Sequence, residues 1–279
     1  MAQDFRIKNR IKIINTIGKI TRALQLVATA NLKKASRKVQ AIRPYSEEMY
    51  HVFHQIISNT NESVYLQKKN QVLSKKLWIV VTSNIGLCGG YNYNIYKLVM
   101  KELKPDDLMI IIGHKGVTFF NSRNSNIISK YLTLPIEFDY HQIQEIGIQC
   151  LSLFNENKID IINLVYTKFI NNLTFEATNL QLLPILKLDN VTQDNSIEFE
   201  PDAEHVLESA LMLYLNTIIY SAISESQLSE QASRRLAMEN ATNNANDLKD
   251  ELALVFNRSR QAKITQEIAE IIAAADSTN

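Results

Sequence analysis

The segment with the strongest look of chemistry is Thr82–Asn92, TSNIGLCGGYN. It follows a short apolar run and opens a helical pattern, the place where α/β proteins bind phosphates on backbone N–H groups. Its glycines fall as GxxGG. That spacing matches neither GxGxxG nor GxxxxGK[ST], and no Lys-Ser/Thr follows. A structural turn is the better reading of it. Cys88 could act as a nucleophile, but no histidine is near it in sequence. His51, His54, His114, His141 and His205 form no ligand pattern, and His51 and His54 at i, i+3 read as one polar helix face. Cys88 and Cys150 share no CxxC or Cys/His spacing, which argues against a metal site or a disulfide framework and fits a reducing, cytosolic compartment. The carboxylates are scattered over helical stretches and define no acid/base pair. The expectation is therefore no catalytic residue, no metal and no cofactor.

The elements around this segment follow from the chain's punctuation. Of the 279 residues, 202–279 contain no Gly or Pro, and a single Gly precedes Pro44. Gly and Pro are the strongest helix breakers. Three zones follow: an N-terminal coiled-coil helix over 1–59, a central α/β domain over 72–190 and a C-terminal coiled-coil helix over 201–277. In the first, Ile13, Ile17, Ile20, Leu24 and Val27 step by four and three, a heptad seam. Pro44 should kink or restart that helix, and Tyr50, Phe53, Ile56 and Ile57 suggest helix again to about Asn59. In the middle, Leu77–Ser83, Leu108–Gly113 and Ile159–Thr167 read as buried strands and Thr174–Pro184 as an edge strand. Tyr93–Leu103 and residues 141–157 read as helices. Strand and helix taking turns predicts a mostly parallel sheet. Asn-rich linkers flank this zone near 59–71 and 189–196.

The last zone starts at Glu200-Pro201-Asp202, with proline and acids suited to a first turn. Ala241, Ala245, Leu248, Leu252 and Val255 continue through Ser259 and Ala262 as a second seam with small members. One helix over 202–275 would reach roughly 110 Å at ~1.5 Å per residue. Its apolar stripe must then be buried against the first helix or against other chains.

The net charge of +1 hides an asymmetry. Residues 1–43 carry eleven Lys/Arg against Asp4, a net +10, and residues 198–251 carry eleven acids against three bases, a net −8. A basic end suits nucleic acid or an acidic surface. It suits equally a basic helix beside an acidic one, and a solvated charged face is the commonest case. With 46% hydrophobic and 21% charged residues the chain can bury a real core. The start has no apolar leader, and no stretch approaches the ~18 apolar residues of a membrane span.

Three segments together resemble the gamma subunit family of the F-type ATP synthase. They are ITRALQLVA at Ile20–Ala28, TSNIGLCGGYN, and ASRRLAMENATNNANDLKDELALVFNRSRQAKITQEIAEII at 232–272. The resemblance implies an antiparallel coiled coil of the terminal helices, plus a central α/β, Rossmann-like domain. It implies a central rotor shaft, itself non-catalytic, that couples proton-driven turning of the c-subunit ring to ATP synthesis or hydrolysis at beta-subunit sites. The partners implied are the alpha and beta subunits of the head, the epsilon subunit and the c ring, with no nucleic acid. The location implied is peripheral, on the cytoplasmic face of a bacterial plasma membrane. By motif, Arg260, Gln261, Thr265 and Glu267 occupy RQA-x-ITQE positions that touch the head. Leu24 and Arg234 match positions near the beta-subunit lever, and Glu200, in FEPD, matches the foot at the c ring. The chain departs from the pattern in carrying Leu24 and Leu26 for methionines, and Asn84-Ile85 where Asp-Lys or Asp-Arg is usual. Two rivals make different demands. A nucleotide-dependent enzyme needs a pocket at Gly86–Gly90, and a nucleic-acid binder needs residues 1–60 on phosphates; neither explains the long C-terminal helix.

Overall fold

The computed structural model describes residues 2–60, 63–66, 74–132, 134–138, 140–185 and 199–276. The linker expected at 189–196, most of that at 59–71 and the outer ends of the three zones lie outside them. The elements run α1 (Ala2–Asn59), β1 (Lys76–Val81), α2 (Tyr91–Glu102), β2 (Leu108–Ile112), α3 (His114–Asn121), β3 (Asn126–Tyr131), α4 (Tyr140–Asn155), β4 (Ile161–Phe169), β5 (Phe175–Leu183) and α5 (Ala203–Asp276). Contacts divide them into two compact units: Thr29–Arg234, and the residues up to Ala28 with those from Arg235 onward.

The larger unit holds a five-stranded sheet in the order β3-β2-β1-β4-β5. The first four strands are parallel, and β5 pairs antiparallel with β4 at the edge. Burial on both faces explains the unbroken apolar runs of β1 and β2. Against one face, Trp78, Val80, Met109 and Ile111 pack on Ile95 and Val99 of α2 and Phe120 of α3. Against the other, Ile79, Ile110, Ile162 and Leu164 meet Phe53 and Ile57 of α1, Ile143 and Ile146 of α4, and Leu207, Leu211, Leu215 and Ile219 of α5. The spacing 207, 211, 215, 219 is one helix face. Phe53 stacks on Tyr214 with ring centroids 3.8 Å apart.

The sequence reading missed α3 and β3. The first is only eight residues and contains Gly116. The second alternates between half-buried and exposed and carries Asn, Ser and Lys, the weak pattern of an edge strand. The reading also understated one stretch: α5 does contain an 18-residue window apolar enough to span a membrane by composition, half of it buried in this chain. That window overlaps the face just named, which packs in the larger core. Pro44 does not end or restart α1, which runs through it; Val39 before it and Phe53 after it are both buried in the unit.

In the smaller unit, α1 and α5 run antiparallel. A methyl built on Gly18 would lie 3.6 Å from Ala245 Cβ, and three residues on, Thr21 Oγ1 meets Thr242 Oγ1 at 2.8 Å. The heptad period of the N-terminal seam is as read, but its phase is corrected by one residue. The inward positions are Ile14, Gly18, Thr21, Gln25 and Ala28. Ile13, Ile17, Ile20 and Val27 are 59%, 48%, 54% and 58% exposed, and Leu24 is half-buried. On α5 the inward set is Met238, Thr242, Ala245, Lys249, Leu252 and Phe256. Ala245 and Leu252 of the expected seam belong to it and Ala241 borders it, whereas Leu248 and Val255 face outward. The cause is distance. Backbones that let Gly18 meet Ala245 leave no room at that level for branched side chains, and Ile14 and Leu252 sit inward only a turn or two away from it.

Candidate functional site

Residues 82–92 join β1 to α2, and many of their polar groups bond to one another or to the adjoining β2–α3 turn. Ser83 N–H donates to Asn92 Oδ1 (3.0 Å), and Asn92 Nδ2 donates to Ser83 Oγ (2.7 Å). Tyr91 N–H closes on Cys88 O at 3.2 Å, and Lys115 N–H donates to Ser83 O at 3.0 Å. Leu87 and Gly89 take positive φ, at 61° and 57°. Thr82 Oγ1 donates to Ile112 O (2.8 Å) and accepts from Gly116 N–H (3.0 Å). This is a turn sealed from inside, not a cradle open to a phosphate. The cavity beneath it, bounded by Thr82, Asn84, Tyr91, Gln227 and Glu230, has a volume of about 20 Å³, space for one water.

The loop is bound to α5. Ser233 Oγ donates to Cys88 O (2.6 Å), and Arg234 Nη2 donates to Ile85 O (2.8 Å). Arg234 also pairs with Glu230 at 2.6 Å, both side chains largely buried. Burial pushes the Glu230 carboxyl up from its ordinary value and the Arg234 charge pulls it back. Burial likewise raises the Cys88 thiol, moving it away from the thiolate a nucleophile needs. Tyr91, wholly buried with its hydroxyl 2.8 Å from Ser226 Oγ, is raised well above its ordinary value. The Cys150 thiol, on the buried face of α4, is pushed up to about 12.

The contacts between α5 and the sheet have a particular cause. β1 pairs with β4 only as far as Val80 and Val165, while β4 continues to Phe169 with β5 on its other side. Beyond Val165 the edge that β1 has left is filled by α5 side chains. Ser226 Oγ accepts from Thr167 N–H (3.1 Å), Ser229 Oγ donates to Thr167 O (3.1 Å), and Glu225 Oε1 accepts from Phe169 N–H (3.2 Å). Sequence reasoning passed over these residues; the only signal was the recurrence of Ser, Glu and Gln on an otherwise apolar stretch of helix.

The other residues singled out in the sequence lie apart from this loop. Arg260, Gln261, Thr265 and Glu267 are exposed on the last turns of α5. There Thr265 Oγ1 donates to Gln261 O, and Lys263 approaches Glu267 at 3.7 Å. Glu200 is exposed just before α5. Among the described residues no three of His, Cys, Asp and Glu are grouped to hold a metal. The basic residues split between the units. Lys33, Lys34, Arg37 and Lys38 line a groove of about 930 Å³ with Phe138 and Tyr220. Lys34 pairs with Glu137 at 2.9 Å.

Comparison with known proteins gives the class. The sequence matches the ATP synthase family over residues 5–277. It is 47% identical to the ATP synthase gamma chain of Mesoplasma florum over 99% of both chains. It is 46% identical to that of Mycoplasma capricolum over 97% of both, and 38% to that of Clostridium acetobutylicum over 97% and 96%. In fold it is similar to a chain of the Euglena gracilis mitochondrial ATP synthase, with a TM-score of 0.73 at 16% identity over 99% and 95% of the two chains. It is likewise similar to one of the central stalk and c-ring of the Tetrahymena thermophila enzyme, at 0.61 and 23% over 80% and 99%. Near-complete coverage at this identity means that the chain belongs to the ATP synthase gamma-chain family.

Proposed function

We propose that the chain is the central rotor shaft of a proton-translocating ATP synthase and does no chemistry of its own. It turns with the c ring and passes rotation to the nucleotide sites of the beta subunits. The observation that carries the reading is the antiparallel coil of the smaller unit, whose helices approach closely at Gly18 and Ala245 while a row of large apolar side chains faces outward. Such a stripe has to be covered by other chains. The alpha and beta subunits of the head are the partners we assign to it.

The functional division follows as 1–59 and 201–277 for the shaft and 72–190 for the α/β body. Arg260, Gln261, Thr265 and Glu267 contact the head from the last turns of α5. Leu24 contributes from α1, and Arg234 acts through the loop it holds at Ile85. Glu200 meets the c ring, and the epsilon subunit completes the rotor. The complex sits on the cytoplasmic face of a bacterial plasma membrane, with this chain held there by its partners. An enzyme reading finds little support at a loop whose Ser83 and Asn92 bond to each other above a one-water cavity.

The test is recovery of the tagged chain from membranes with alpha, beta, epsilon and c subunits, alongside ATP-driven proton pumping that deletion of the chain abolishes. The isolated chain should hydrolyse no ATP. Turnover that survives complete removal of alpha and beta, or pumping that survives the deletion, overturns the reading.

A further inference from the structure

Between Glu225 and Arg234, α5 changes how it is held. Up to Ile223 it packs through apolar side chains, and burial of that kind is non-directional. From Glu225 on, Leu228 still packs on Ala35 and Val39, but hydrogen bonds now run from α5 side chains to backbone groups of β4, of the segment before α4 and of the 82–92 loop. Ser226 and Ser229 take the N–H and the C=O of Thr167, Glu225 the N–H of Phe169, and Gln227 Nε2 the carbonyls of Leu134 and Pro135 at 3.3 and 3.0 Å. Ser233 takes Cys88 O. Hydrogen bonds depend steeply on angle, and their partners here are backbone atoms that no side-chain rotation can move. Turning α5 about its axis by one residue would break all of them together.

The strip is not arranged for stability. Of the five buried side-chain polar atoms without a partner among the described residues, four lie in or beside it: Asn84 Oδ1, Thr167 Oγ1, Gln227 Oε1 and Gln231 Oε1. Asn84 and Gln227 line the cavity with space for one water, and a buried polar atom left without a partner costs stability that an apolar isostere would not. A polar interface kept against that cost fixes orientation.

We propose that Ser226, Ser229 and Ser233 are positioning residues that key α5 against rotation in the α/β body, so that torque entering the body reaches the long helix without slip. The inference rests on the shaft reading above. A smooth apolar contact at the same place would hold the helix equally well against separation and poorly against twisting.

The test uses membranes carrying the assembled synthase with Ser226→Ala/Ser229→Ala/Ser233→Ala. The control is whichever of Ile223→Val and Leu215→Ala best matches its melting temperature; both remove buried methyl groups from the apolar part of the same helix. Unloaded ATP hydrolysis should stay within about twofold of wild type in all of them. As an opposing proton gradient builds, protons pumped per ATP should fall at least twofold in the triple variant and hold in the control. An unchanged ratio in the triple variant, or an equal fall in the control, overturns the key. If the triple variant does not assemble, Ser229→Ala alone carries the same comparison. Wild-type membranes that hydrolyse ATP without pumping would instead overturn the shaft reading itself.

Discussion

Lys38 is held by three groups at once. Its Nζ donates to Ile136 O (2.8 Å) and lies 3.3 Å from the Phe138 ring centroid and 4.7 Å from that of Tyr220. Burial lowers its pKa to about 8 from 10.5, with Glu137 opposing. The unfolded chain therefore binds more protons than the folded one between about pH 8 and 10.5. Below that window the penalty on the buried charge is fully present, and it is relieved as pH rises through it. Relative to Lys38→Met, wild type should gain stability from pH 8 to 10.5 in urea titrations; a difference flat across that range counts against a buried ammonium. A second residue is fixed by geometry. Gly113 has φ +99°, and a methyl on it would lie 2.2 Å from Thr82 O. Gly113→Ala combines strain with a clash against backbone and should cost on the order of 3 kcal/mol or more. A loss below ~1 kcal/mol would mean that β1 and β2 can part at little cost. Neither result was legible in the sequence. Lys38 stood in a basic run, and Gly113 simply ended a strand.

At the scale of elements, periods were legible and phases were not. The α/β alternation of the middle was readable because β1 and β2 are buried on both faces and so read as continuous apolar runs. The step of 3.5 in both terminal helices was readable because apolar residues recur along one face of each. The phase failed because sequence reading places the largest apolar side chains inward. Here Gly18, Thr21 and Ala28 face inward and Ile13, Ile17 and Ile20 face out. That rule holds for a chain that buries its own surface and breaks down for one whose apolar stripe is meant for another molecule. Two substitutions separate the phases. Gly18→Leu pushes a branched side chain toward Ala245 and should destabilise the isolated chain by about 1–3 kcal/mol. Ile17→Ser, at an exposed position, should stay within ~0.5 kcal/mol. The reverse order in chemical denaturation would restore the phase read from sequence.

At the scale of the whole molecule, eleven large apolar side chains among the described residues of the smaller unit are exposed, from Phe5 and Ile13 on α1 to Ile264 and Ile268 on α5. A solitary soluble protein rarely leaves so much apolar surface in water. Inside the coil, Ile14 and Met238 are buried, but a Gly–Ala approach and a pair of threonine hydroxyls between them bury little apolar area. The apolar surface that this unit can still bury lies on its outside. Its order should depend on the head more than on its own seam. Ile13→Ser/Ile17→Ser/Ile20→Ser removes three outward side chains and leaves every inward one in place. The variant chain should melt within a few degrees of wild type when isolated. Mixed with alpha and beta subunits, it should yield at least fivefold less assembled head–shaft complex by native mass measurement. Loss of folding in the isolated variant would show that the stripe serves the chain's own coil. Assembly at the wild-type level would show that the head grips some other face, and the reading of these outward side chains as a partner surface would have to be abandoned.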